Sequence, residues 1–118
     1  MMASRPSADT LCKATERAAA VLGLSTLQVS RMLQISRSSW YRLRRQQAIL
    51  VPGTTAWQRA VDVVNLYVYL RSLLGSDEMA RGWLRQNVKS MRARPIDLLA
   101  TPEGVDRVMA YLVAAMGR

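Results

Sequence analysis

The stretch from Ala56 to Leu74 limits what this chain can fold into more than any other. It holds no proline or glycine, lies between Pro52-Gly53 and Gly75, and reads as one long helix closed by that second glycine. Val61, Val63, Val64, Leu66, Tyr67, Val68, Tyr69, Leu70, Leu73 and Leu74 cover far more than one of its faces. A helix apolar on several sides has to be enclosed on several sides. In a chain of 118 residues this points to a homodimer centred on Val64, Leu66, Tyr67, Tyr69, Leu70 and Leu73. Burial by the chain's own neighbouring helices is the alternative. The run is too short to span a bilayer and contains Asp62, Asn65 and Arg71, so no membrane partner is expected.

Charge narrows the partners. The net charge is +9, and residues 1–56 carry eight Lys/Arg against two acids. No acidic residue occurs between Glu16 and Asp62. A one-sign stretch of that length suits phosphate contacts better than self-paired surface charge. Histidine is absent and Cys12 is the single cysteine, which excludes a His-dependent triad, an internal disulfide and a Cys- or His-based metal site. The acids stand mostly at helix starts, where capping and the helix dipole account for them. No enzyme activity, metal or cofactor is expected. Met1-Met2-Ala3-Ser4-Arg5-Pro6 lacks an apolar signal core, so a cytoplasmic protein is expected.

Residues 1–8 read as an arm, and Asp9 begins a helix whose stripe is Leu11, Ala14, Ala18, Val21 and Leu22, with Gly23 as its cap. Ser25 is placed to cap a second helix carrying Leu27, Val29, Met32 and Leu33. Gln34-Ile35-Ser36 forms a short turn, and Ser36 caps a third helix from Arg37 to about Gln47. Two short helices about such a turn make a helix-turn-helix pattern, with Ser30 at the helix contact. With Trp40 turned inward, the outward face presents Arg37, Ser38, Ser39, Tyr41, Arg42 and Arg45 as the candidate DNA-binding residues. Arginine bonds bidentately to guanine edges, and the hydroxyls suit phosphates. From Gly23 to Arg45 the segment resembles Xre-type bacterial regulators. Gln34 stands where such turns usually carry glycine, so a left-handed glutamine costing about 1–2 kcal/mol is expected there.

Val51-Pro52-Gly53-Thr54-Thr55 reads as a linker, placing a boundary between a domain of residues 1–52 and one of residues 53–118. After Gly75, Ser76-Asp77-Glu78 opens a helix containing Met79, Trp83 and Leu84. Residues 86–94 read as a polar basic loop, Pro95 restarts a short helix, and Thr101-Pro102-Glu103 opens the last one. The stripe of that last helix is Val105, Val108, Met109, Leu112 and Met116. Asp106, Arg107 and Ala110 are placed on its other side.

Trp83-Leu84, Asn87, Arg94-Pro95-Ile96-Asp97-Leu98-Leu99, Glu103-Gly104, Val108, Leu112 and Gly117, taken in order, resemble the toxin-binding domain of MbcA/ParS/Xre antitoxins. Met91-Arg92 departs from the family, which has a small glycine-rich turn before the proline. The resemblance implies an all-α protein: a helix-turn-helix DNA-binding bundle followed by a small helical dimerisation and toxin-binding domain. It also implies a dimeric antitoxin that binds operator DNA, represses its own operon and neutralises a NAD-consuming RES-domain toxin by blocking its active-site opening. Arg94, Arg107, Tyr111, Met116, Gly117 and Arg118 are then the candidate toxin-binding residues, with Arg118 on its glycine hinge nearest the toxin's pocket. The competing reading is a stand-alone repressor whose C-terminal half only dimerises.

Overall fold

Hydroxyl caps decide where the helices begin. In the computed structural model, which describes residues 7–117, six helices open on a serine or threonine whose Oγ accepts a first-turn N–H. These are α1 (Ala8–Leu22) on Ser7, α2 (Thr26–Leu33) on Ser25, α3 (Arg37–Arg44) on Ser36 and α4 (Thr55–Leu74) on Thr54. The others are α5 (Asp77–Arg85) on Ser76 and α7 (Pro102–Met116) on Thr101. The remaining helix, α6 (Pro95–Leu98), has no side-chain cap and relies on Pro95, whose fixed φ suits the first helical position. Among the described residues the fold is all-helical apart from one isolated bridge, Val88 to Ala93.

The expected arm is shorter than residues 1–8, because Ser7 already caps α1 and Ala8 is helical. Residues 1–6 and Arg118 lie outside the described residues. The third helix also ends earlier than expected: Arg45 closes α3, and Gln46 takes a left-handed φ of 61°. Left-handed residues terminate the earlier helices as well, at Gly23 and at Gln34 (φ 60°, ψ 42°). The glutamine thus adopts the conformation expected of it.

α4 is the shared wall of the fold. α1, α2, α5 and α7 all pack against it, and α1 also meets α5. Trp57, Ala60, Val63, Leu66 and Leu70 are buried along it, and removing each large aliphatic side chain from water is worth about 1.5–3 kcal/mol. This corrects the placing of Leu66 and Leu70 in a dimer interface, since both are fully enclosed by the chain's own helices. The helices before the expected boundary, α1 and α2, thus supply much of α4's cover. Val64, Tyr67 and Tyr69 are half-buried, and only Val68 and Leu73 on this helix are exposed large hydrophobics. The turn at residues 51–54 separates helices but not cores: Leu50 is buried just before it, and one apolar cluster runs from Leu11 to Leu112.

The 86–94 loop is less polar inside than its composition suggests. Val88 and Met91 are buried, and the Val88 carbonyl accepts the N–H groups of Met91 and Arg92 in a tight turn. Arg92 sits at φ 57°, a left-handed conformation that favours glycine. Gly104 is required by a close approach, because a Cβ there would lie 1.7 Å from the Leu98 carbonyl oxygen. That contact seats the start of α7 on α6.

Candidate functional site

Two surfaces combine exposure with specialised chemistry. The first is the outer side of α3. Ser25 and Gln28 form a reciprocal capping box at the start of α2, with bonds of 3.1 and 2.7 Å. Ser30 is buried, and its hydroxyl donates to the Leu27 carbonyl at 2.9 Å. Trp40 and Leu43 point into the core, which turns the rest of α3 outward. Arg37, Ser38, Tyr41, Arg42 and Arg45 are exposed as expected, whereas Ser39 is half-buried. The Ser39 N–H donates to Ser36 Oγ at 3.0 Å, so this serine belongs first to the helix cap.

Aromatic rings hold two of the α3 arginines. The Arg45 guanidinium lies 5.1 Å from the Tyr41 ring centroid, and that of Arg44 lies 5.5 Å from Trp40. Thr26, Arg37, Ser38, Tyr41, Arg42 and Arg44 line an open depression of about 410 Å³ between the start of α2 and α3. Its lining holds three cations, three hydroxyls and no carboxylate. Such a surface attracts phosphate. Arg44 and Thr26 were missed from sequence, because Arg44 is half-buried and its role depends on Trp40 beneath it.

The second surface lies between the end of α4, α5 and α7. Leu70, Leu73, Leu74, Trp83, Tyr111, Leu112 and Ala115 line an apolar groove of about 230 Å³. Trp83 and Tyr111 stack across it with centroids 5.9 Å apart. Leu73 and Tyr111 of its lining are exposed, and contiguous exposed apolar surface marks interaction sites. Stacked Trp and Tyr rings are the residue types that dominate protein interfaces energetically.

The candidate toxin-binding residues do not converge on one patch. Tyr111 lines the groove and Met116 is exposed on the last turn of α7. Arg107 instead donates to the Met91 carbonyl at 3.0 Å, fastening the 86–94 loop to α7. Arg94 makes two 3.0 Å bonds to Asp97, and that pairing, chiefly the hydrogen bonds, pushes its pKa up. Both exposed arginines are thus bonded within the fold, Arg94 at the end of the 86–94 loop and Arg107 on α7. Gly117 follows the helix end, and Arg118 lies outside the described residues. Of the groove residues, Tyr111 alone was in the sequence-based toxin-binding set, Leu70 and Leu73 having been assigned to dimerisation and Trp83 to no site. The Trp83-Leu84 pair of the C-terminal resemblance was the available signal for Trp83.

Cys12 carries no exposed chemistry. It is buried and its thiol donates to the Leu43 carbonyl at 3.4 Å. Burial, then the nearby Glu16 and Asp9 charges, push the thiol's pKa up, which favours the unreactive protonated form.

Residues 70–117 match the antitoxin Xre/MbcA/ParS C-terminal toxin-binding domain. The matched segment begins at Leu70 on α4 and includes every residue lining the apolar groove. Comparison with curated proteins gives no match.

Proposed function

We propose that this chain, a member of the Xre/MbcA/ParS antitoxin family through residues 70–117, neutralises a RES-domain toxin and represses its own operon by binding operator DNA. The match over the toxin-binding domain carries the first half of this reading. The groove around Trp83 and Tyr111 is the docking surface on the antitoxin side, and Gly117-Arg118 are the residues assigned to obstruct the toxin's active-site opening. Neutralisation is by steric exclusion of the dinucleotide, so the chain acts by binding and not by catalysis. The α3 depression supports the second half: Arg37, Arg42 and Arg45 reach base edges or phosphates, and Arg44 with Thr26 and Ser38 adds backbone contacts.

Dimerisation follows from what α4 leaves uncovered. Val64 and Val68 lie on one stripe of α4, and a second copy there would present two α3 helices to successive half-sites. Co-expression with the product of the neighbouring gene tests the reading. A co-purifying RES enzyme that is inactive in the complex and active once released is the expected result. Deleting Gly117-Arg118 is expected to leave the complex intact but restore part of the NAD consumption. A complex whose inhibition is unchanged by the deletion rejects the plugging tail.

A further inference from the structure

α1 ends without a cation of its own. Its last turn contains no Lys or Arg, so the negative end of its dipole is uncompensated locally. Gly23 returns its N–H to the Ala19 and Ala20 carbonyls, which leaves the carbonyls of Val21, Leu22 and Gly23 to other donors. Two arginines from α5 supply them. Arg81 Nη1 donates to the Val21 carbonyl at 2.9 Å, Arg85 Nη1 to that of Leu22 at 3.2 Å, and Arg85 Nη2 to that of Gly23 at 2.8 Å. Arg85 also donates to the Arg81 carbonyl at 2.9 Å, which ties the guanidinium to its own helix. Gly23 leaves room for it, since a Cβ there would come within 2.9 Å of Arg85 Nη2.

The three carbonyls so held lie immediately before Ser25, the cap of α2, which leads through Gln34 into α3. α5 itself belongs to the segment matched to the toxin-binding domain. We propose that Arg81 and Arg85 are positioning residues for DNA reading, fixing the direction in which α2 and α3 leave α1. This rests on the DNA-binding reading above. Without the clamp the α1–α2 junction samples more directions, so α3 meets the groove in its productive orientation for a smaller share of the time. Individual phosphate contacts survive; their register does not.

The test titrates the full chain onto a labelled duplex from the region upstream of its own coding sequence, across a series of salt concentrations. Arg85→Ala and the Arg81→Ala/Arg85→Ala double variant are expected to bind about tenfold more weakly, with the slope of log K against log salt unchanged. Arg85→Lys, which keeps one donor, restores part of the loss. Amide hydrogen exchange is measured in parallel, and faster exchange at Gly23 and Leu24 in the variants is expected. Wild-type affinity in both alanine variants overturns the proposal. A slope lowered by about one also overturns it, because that marks a direct phosphate contact. If the wild type shows no salt-dependent duplex binding, the DNA reading falls and the positioning role with it, while accelerated exchange would still show that the arginines hold the junction.

Discussion

The arginines of the two halves meet different fates. From α4 onward most of those described are engaged by the protein itself: Arg59 bridges Asp62 and Asp106 at 2.9 Å each, Arg71 pairs with Asp77, Arg94 with Asp97, and Arg81, Arg85 and Arg107 donate to carbonyls. On and just after α3, among the described residues, Arg37, Arg42 and Arg45 have no carboxylate within ion-pair reach. Arg42 donates to Ser39 at 3.5 Å, and Arg45 lies over the ring of Tyr41. The same residue type is thus structural in one half and available in the other. Charge in this molecule is informative where it is unpaired, while the C-terminal surface declares itself by apolar exposure instead.

The severest test of this contrast strikes both surfaces together. Leu66→Ala or Leu70→Ala, at the enclosed centre of α4, is expected to destabilise the fold by about 2–5 kcal/mol, measured by thermal or denaturant unfolding. If α4 is a common wall, DNA binding and toxin binding decline together; loss of one alone would show two separate cores.

Removing a groove ring separates the surfaces. Tyr111→Ala is expected to weaken the toxin complex by about 2 kcal/mol or more, read by calorimetry, and to leave duplex binding unaltered. Unchanged toxin affinity would place the interface elsewhere on α7. Conversely, Arg42→Ala or Arg45→Ala is expected to cost about 1–3 kcal/mol in operator binding, with toxin neutralisation intact. Arg94→Ala, whose side chain is engaged by Asp97, is expected to leave duplex affinity and its salt slope unaltered in the same assay. Equal losses for Arg94 and Arg42 would erase the distinction between paired and available cations.

The smallest effect concerns turn geometry. Gln34→Gly is expected to stabilise the chain by about 1 kcal/mol, because glycine takes the left-handed conformation without a Cβ clash. A destabilised variant would mean that Gln34 does more than close the turn.

Periodicity and capping chemistry are local properties, so the serines and threonines, Pro95, Pro102 and the terminal glycines were enough to place the helices. The exposed cations of α3 were legible for the same reason: once Trp40 points inward, helical geometry fixes the rest. Ser39 is half-buried, and its hydroxyl accepts from that of Ser36 at 3.0 Å, which the helical face alone did not show. Sequence likewise does not say whether a charge such as Arg94 on the loop or Arg107 on α7 is bonded within the fold. Their partners, Asp97 and the Met91 carbonyl, are settled by how the loop folds onto α6 and α7.

What sequence alone determined is the set of helices, the acid-free cationic segment and the ordered residues of the C-terminal block, all of which depend on near neighbours along the chain. What only tertiary structure decided is which side of α4 is covered and by what, how Trp83 meets Tyr111, and where Arg81 and Arg85 find their acceptors. Those contacts join residues far apart in sequence, and helical periodicity says which face of a helix is apolar without saying which other helix will cover it.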